Sequence, residues 1–120
     1  MLRVVPPSSG SGSPGDRSAP EQVTFDRKEL SALLTVYGRF VAAGEWRDYG
    51  MTFAKDHAVF AVFRRAAETP IYRIEKRPKN ARAQGMYSIA GMDGRVLKRG
   101  PDLRQVLRVL DKKLIRAVEE

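Results

Sequence analysis

The sequence predicts an α+β fold. The expected form is a two-layer sandwich in which an antiparallel meander of about five short strands is flanked in sequence by an N-terminal and a C-terminal amphipathic helix. Three observations carry this expectation. Apolar residues recur at helical spacing from Leu30 to Val41 and again from Leu103 to Ala117. Between them, from Tyr49 onward, the spacing changes to alternation. Turn residues then divide the alternating region into short runs, and consecutive runs of that kind pair with one another. Two helices with one apolar face each can both pack on such a sheet.

Residues 1–20 are dominated by Ser, Gly and Pro. They offer too little apolar surface to offset their ordering entropy, so a disordered tail is expected there. Residues 21–120 then make one basic domain, since a chain of 120 residues holds one core. The first helix is expected from Asp26 to Ala43. Asp26 and Glu29 have capping-box spacing, and Phe25 and Leu30 stand where a hydrophobic staple forms. Leu30, Leu33, Leu34, Tyr37, Phe40 and Val41 mark its inner face, and Gly44 ends it.

Tyr49, Met51 and Phe53, followed by Ala58 to Phe63, read as a β-hairpin with a two-residue turn at Asp56-His57. That register pairs Phe53 with Phe60 and Met51 with Val62. The opposite face carries Gly50, Thr52, Ala54, Val59, Ala61 and Phe63, mostly small and apolar, and needs a cover. Trp46 is one candidate for it; a partner is another. Ile71 to Arg77 is the third strand, and a long, basic, flexible loop, 78–85, leads to the fourth, Met86 to Ala90. Asp93-Gly94 signals a turn into a fifth strand, Arg95 to Arg99. A three-residue loop there pairs Ile89 with Leu97, preferred because it keeps two apolar residues together. Pro101 suits the first position of the last helix, with Asp102 beside the positive end of its dipole.

Charge is unevenly placed. The formal net charge is +8, and the stretch Ile71–Gly100 holds most of it. Such a balance favours polyanionic partners, nucleic acid above all. The sequence contains no Cys, which removes disulfides, thiolate nucleophiles and thiolate zinc sites. Its single histidine, His57, stands beside Asp56 as ordinary turn chemistry. Acid–base work by Glu45 and Asp48 would need a shielded pocket to raise the general acid's pKa, and the two read as solvated loop charges. The glycines match no nucleotide fingerprint, and Asp102 would repel an anion from the last helix's N-terminus. No catalytic residue, cofactor or metal is therefore expected. No apolar run is long enough to span a bilayer and no secretory leader is visible, so a soluble cytoplasmic protein is expected.

The runs WRDYGMTFAKDHAVFAVFRR from Trp46, PIYRIEKRP from Pro70 and YSI at Tyr87, with the final amphipathic helix, resemble an uncharacterised alphaproteobacterial family of short basic proteins, a domain of unknown function. The resemblance covers about Thr24 to Val118. It implies a bacterial cytoplasmic protein and carries over no activity, ligand or site residue.

The functional expectation is non-enzymatic polyanion binding by a basic strand–loop surface, to RNA or DNA. Arg73, Arg77, Lys79 and Arg82 are the contiguous candidates. Arg95 and Arg99 join them if their strand lies alongside. Arg104, Arg108 and Lys112 recur every fourth residue as a basic stripe on the last helix. Tyr72 and Tyr87 have the chemistry to stack a base, but their alternation with Ile74 and Ile89 sends them to the core. The rival expectation is a protein-interaction or homo-oligomerisation module that uses the apolar face of the Tyr49–Phe63 hairpin.

Overall fold

A computed structural model of the chain describes residues 2–4, 22–64 and 69–119. The elements are β1 (Leu2–Val4), α1 (Arg27–Ala42), β2 (Asp48–Phe53), β3 (Ala58–Phe63), β4 (Tyr72–Lys76), β5 (Tyr87–Gly91), β6 (Val96–Gly100) and α2 (Leu103–Glu119). Strands β2 to β6 form the expected five-stranded antiparallel meander. The sheet gains a sixth strand, because Leu2–Val4 pairs in parallel with β2, in register with Tyr49 to Met51. The disorder expected of the tail therefore does not extend to these three residues; 5–20 lie outside the described residues.

Helix α1 starts as its sequence dictates. The Asp26 side chain accepts from the Glu29 N–H at 2.8 Å, and Glu29 Oε1 accepts from the Asp26 N–H at 2.7 Å. At the other end Gly44 takes φ +77°, and the N–H groups of Gly44 and Glu45 reach back to the carbonyls of Val41 and Phe40. The inner face is rotated slightly from the one expected. Val36 is buried with Leu33 and Phe40, whereas Val41 is 40% exposed. Helix α2 is capped by Asp102, whose Oδ1 accepts from the Arg104 N–H at 2.9 Å, so Pro101 lies before the cap and not in the first turn.

Two registers differ from expectation. In the first hairpin Met51 pairs with Phe60 and Phe53 with Ala58. The cause is a two-residue turn displaced by one position to Lys55-Asp56, closed by the Ala54 N–H on the His57 carbonyl at 2.8 Å. The slip is two residues, which preserves the faces, so Tyr49, Met51, Phe53, Phe60 and Val62 still share one side. In the last hairpin the loop is the expected three residues, with Gly94 at φ +84° and the Gly91 N–H on the Arg95 carbonyl. A bulge then leaves Leu97 unpaired, and Ile89 faces Lys98 instead.

Both helices pack on the same face of the sheet. Tyr37 of α1 meets Tyr49 and Phe60, with centroids 4.8 and 6.4 Å away, and α2 lies on β5 and β6 beside α1. The core between the layers includes Leu33, Phe60, Ile74, Ile89, Val106 and Leu110. Trp46 belongs to this core and does not cover the other face. It stacks on Phe40 at 4.0 Å and is 3% exposed. Among the described elements none lies on the opposite face, which carries Gly50, Thr52, Val59, Ala61, Arg73, Glu75, Ser88, Ala90 and Arg99.

Candidate nucleic-acid interface

The helix-free face divides along its strands. Over β2 and β3 it is mostly small and apolar, with Asp48 and Phe63 at one end; Gly50 pairs with Ala61. Over β4 to β6 it turns basic. Arg73 stands at the centre, paired with Ala61 and Ala90, and is exposed. Arg99 sits two strands away, across Ser88, on the same face. Strand spacing puts the two backbones roughly 10 Å apart in the pairing direction.

The loop after β4 completes this surface. Its backbone is hydrogen-bonded upon itself. Pro78–Asn80 form a 3-10 turn, and the Asn80 carbonyl then accepts from the N–H groups of Ala83, Gln84 and Gly85 at 3.2, 3.0 and 2.9 Å. Gly85 closes the loop at φ +95°, where a Cβ would collide with the Gly100 backbone. A hydrogen bond from Arg99 to Gln84 Oε1 ties the loop to β6. Lys79 and Arg82 are thus exposed on a hydrogen-bonded loop at the Arg99 end of the face.

The candidate cations are not equivalent. Arg77 is held by two carboxylates: its Nε lies 3.2 Å from Glu75 Oε1 and its Nη1 3.2 Å from Asp56 Oδ2. The Glu75 hydrogen bond, aided by the charge of Asp56, raises the guanidinium's pKa further. Its role is to join β4 to the β2–β3 turn. Asp56 is shared with His57 Nδ1 at 2.7 Å, and that hydrogen bond, with Arg77's charge behind it, pulls the carboxyl below its usual range. Arg73, Lys79, Arg82 and Arg99 have no carboxylate within 4 Å among the described residues, so their charges face outward. Arg95 is separate. It lies in the β5–β6 turn, at the other end of β6, with its Nε 4.0 Å from Asp93.

Neither tyrosine is on this face. Tyr87 is 7% exposed and donates its hydroxyl to Glu29 Oε2; Tyr72 lies 6.0 Å from Trp46. Burial raises both phenol pKa values, and Glu29 raises that of Tyr87 further. These rings therefore cannot stack a base on this face. The surface can engage phosphates, but it offers few aromatic planes.

Arg104 and Arg108 lie on the far side of the molecule. With Arg39 they line an open groove of about 350 Å³ between α1 and α2. Lys112 is exposed further along α2 and does not line it. Arg39 was not legible as part of this group, because its partners lie on a helix more than sixty residues away. The only sequence signal is that Ser31, Thr35 and Arg39 recur every fourth residue, as Arg104 and Arg108 do.

Among the described residues no cluster of three or more His, Asp or Glu could hold a metal, and no helix is long and apolar enough to cross a membrane. The structure therefore defines a class: a two-layer α+β domain with both helices on one face of its sheet and a partly basic face opposite. The chain belongs to the family described as Protein of unknown function (DUF2794), whose family model matches residues 23–107. That span takes in α1, the meander and the first half of the buried face of α2. Comparison with curated proteins and with solved structures gave no match.

Proposed function

We propose that this domain is a non-enzymatic cytoplasmic module that binds the phosphate backbone of single-stranded nucleic acid across the basic half of its helix-free sheet face. One observation carries the reading. Both helices occupy one face, and four cations with no carboxylate within 4 Å among the described residues, Arg73, Lys79, Arg82 and Arg99, gather on the other face and its loop. A pleated, open surface with outward charges can track a flexible backbone. The scarcity of exposed aromatics argues for backbone contacts without base readout.

The test is salt. Four phosphate contacts give a log–log slope near −3, so affinity for a short oligonucleotide should fall roughly 50-fold between about 50 and 200 mM salt. Charge reversal at Arg73, Lys79 and Arg82 together should cost more than about tenfold at low salt and leave the thermal transition in place. Protein that purifies without nucleic acid and gives no gel shift at low salt would overturn the reading.

A second reading rests on the other half of the same face. Gly50, Thr52 and Ala61 make a flat, small-residue surface suited to sheet-on-sheet contact between two copies. Sedimentation of the full chain at high concentration decides it: a strict monomer removes it.

A further inference from the structure

The groove between the helices is a cationic site distinct from the sheet face. Both helices start at the same end of the molecule, where Asp26 and Asp102 line a common cleft, and they run side by side. Ser31 and Thr35 on α1 therefore face Arg104 and Arg108 on α2 across the groove. Each pair is one turn apart, about 6 Å along its helix axis. The floor is apolar: Ala32, Val36 and Leu107.

Charge is arranged along the groove in a definite order. In the middle, Arg104 and Arg108 have no carboxylate within 4 Å among the described residues. The Thr35 hydroxyl donates to the Ser31 carbonyl at 2.8 Å, while the Ser31 hydroxyl has no hydrogen-bond partner among the described residues. At one end Arg39 Nη1 meets Asp111 Oδ1 at 3.4 Å. At the other end stand the cap carboxylates of Asp26 and Asp102 with Glu29, accompanied by Lys28.

We propose that this groove binds a small phosphate-bearing anion, inorganic phosphate or the phosphate monoester of a small metabolite. Two guanidinium forks one turn apart can close on one tetrahedral oxyanion from the α2 side, and Ser31 donates from the α1 side. The apolar floor excludes water beneath the ligand and strengthens both contacts. The acidic groups at the two ends set the length. A polymer laid along the groove would meet carboxylates on leaving the arginine pair, whereas a single phosphate stays between them.

The experiment is calorimetric titration of the full chain with inorganic phosphate at low salt. A short oligonucleotide is run as a separate arm on the variant reversed at Arg73, Lys79 and Arg82. The expected result is saturable phosphate binding with a Kd of about 1 mM or tighter. R104Q/R108Q should weaken it at least tenfold and S31A several-fold, both with an unchanged melting transition, while R73Q/K79Q leaves it intact. Absence of saturation by about 10 mM phosphate would overturn the proposal. So would equal weakening by R73Q/K79Q, and so would oligonucleotide binding that persists in the reversed variant and is lost with R104Q/R108Q. Because the sheet-face variants are separate, failure of the backbone-binding reading leaves this result standing.

Discussion

Strand β3 sends Phe60 and Val62 toward the helices and Ala61 and Phe63 away from them; β4 sends Ile74 one way and Arg73 and Glu75 the other. The strands are shared, so backbone propensity cannot account for the contrast. What differs is cover. Where two helices close over the sheet, each side chain must fill space and satisfy its polar atoms. On the other side no described helix lies over the sheet; Asp48 and Val59 are still buried there, but around Arg73 the surface is open and residue choice is left to charge. Even the charged residues divide this way. Lys76 points into the helix layer and is bonded on arrival, with its Nζ 2.8 Å from Glu29 Oε1 and 2.8 Å from the Thr24 carbonyl. Arg73, three residues earlier, meets no carboxylate among the described residues.

The most direct way to break the contrast is to truncate matched positions. Phe60 is 1% exposed and packs against Tyr49 at 4.8 Å. Phe60→Ala should cost about 4 kcal/mol in chemical denaturation, from lost transfer and the cavity left behind. Arg73→Gln, on the opposite face, should change stability by less than about 0.5 kcal/mol. Comparable losses at the two sites would mean that the second face is covered after all.

The buried polar group sharpens it next. Glu29 caps α1 and at the same time receives Lys76 from β4 and Tyr87 from β5. It is 7% exposed. Glu29→Gln leaves the Lys76 ammonium buried without its counter-ion and should cost about 3 kcal/mol. The double variant Glu29→Gln/Lys76→Met removes the stranded charge and should recover much of that loss. If the two changes simply add, Glu29 and Lys76 are not coupled.

How much of this was legible follows from the range of each interaction. The capping box spans three residues, and its partners stand in the sequence at fixed spacing, so Asp26 and Glu29 could be read directly. The faces of β2 and β3 could also be read, because even a two-residue register slip keeps Phe60 on the side of Met51 and Phe53. Which face the helices choose could not, since both faces of that hairpin are apolar. The further duties of Glu29 were equally hidden: Lys76 and Tyr87 are 47 and 58 residues away. For the candidate site, the cluster of cations was plain, but its sorting was not. Arg77 looks like Lys79 in a string of letters, and only the β2–β3 turn that brings Asp56 alongside takes it out of the set. Arg95 and Arg99 look equivalent too, until β6 places them at opposite ends of a strand. The bulge at Leu97 has no signature in a short run such as Arg95–Arg99.

Tyrosine ionisation gives the finest test of the covered face. All four tyrosines have raised pKa values, through burial and, at Tyr37, Tyr72 and Tyr87, nearby acidic groups. A phenol whose folded pKa lies above its unfolded value near 10 keeps its proton more firmly in the folded state. Its stabilising contribution is complete below pH 10 and is lost as pH rises beyond that value. Unfolding free energy should therefore hold steady to about pH 9 and then fall, while tyrosinate absorbance appears late in the native protein. Tyr87 is pushed up furthest, by its burial and by the Glu29 carboxylate it bonds. Tyr87→Phe should lower stability at neutral pH by removing that hydrogen bond, and should also make the alkaline decline shallower by about one proton, roughly 1.4 kcal/mol per pH unit. An unchanged slope would mean that Tyr87 ionises as freely as a tyrosine in water, which its place beneath α1 does not permit.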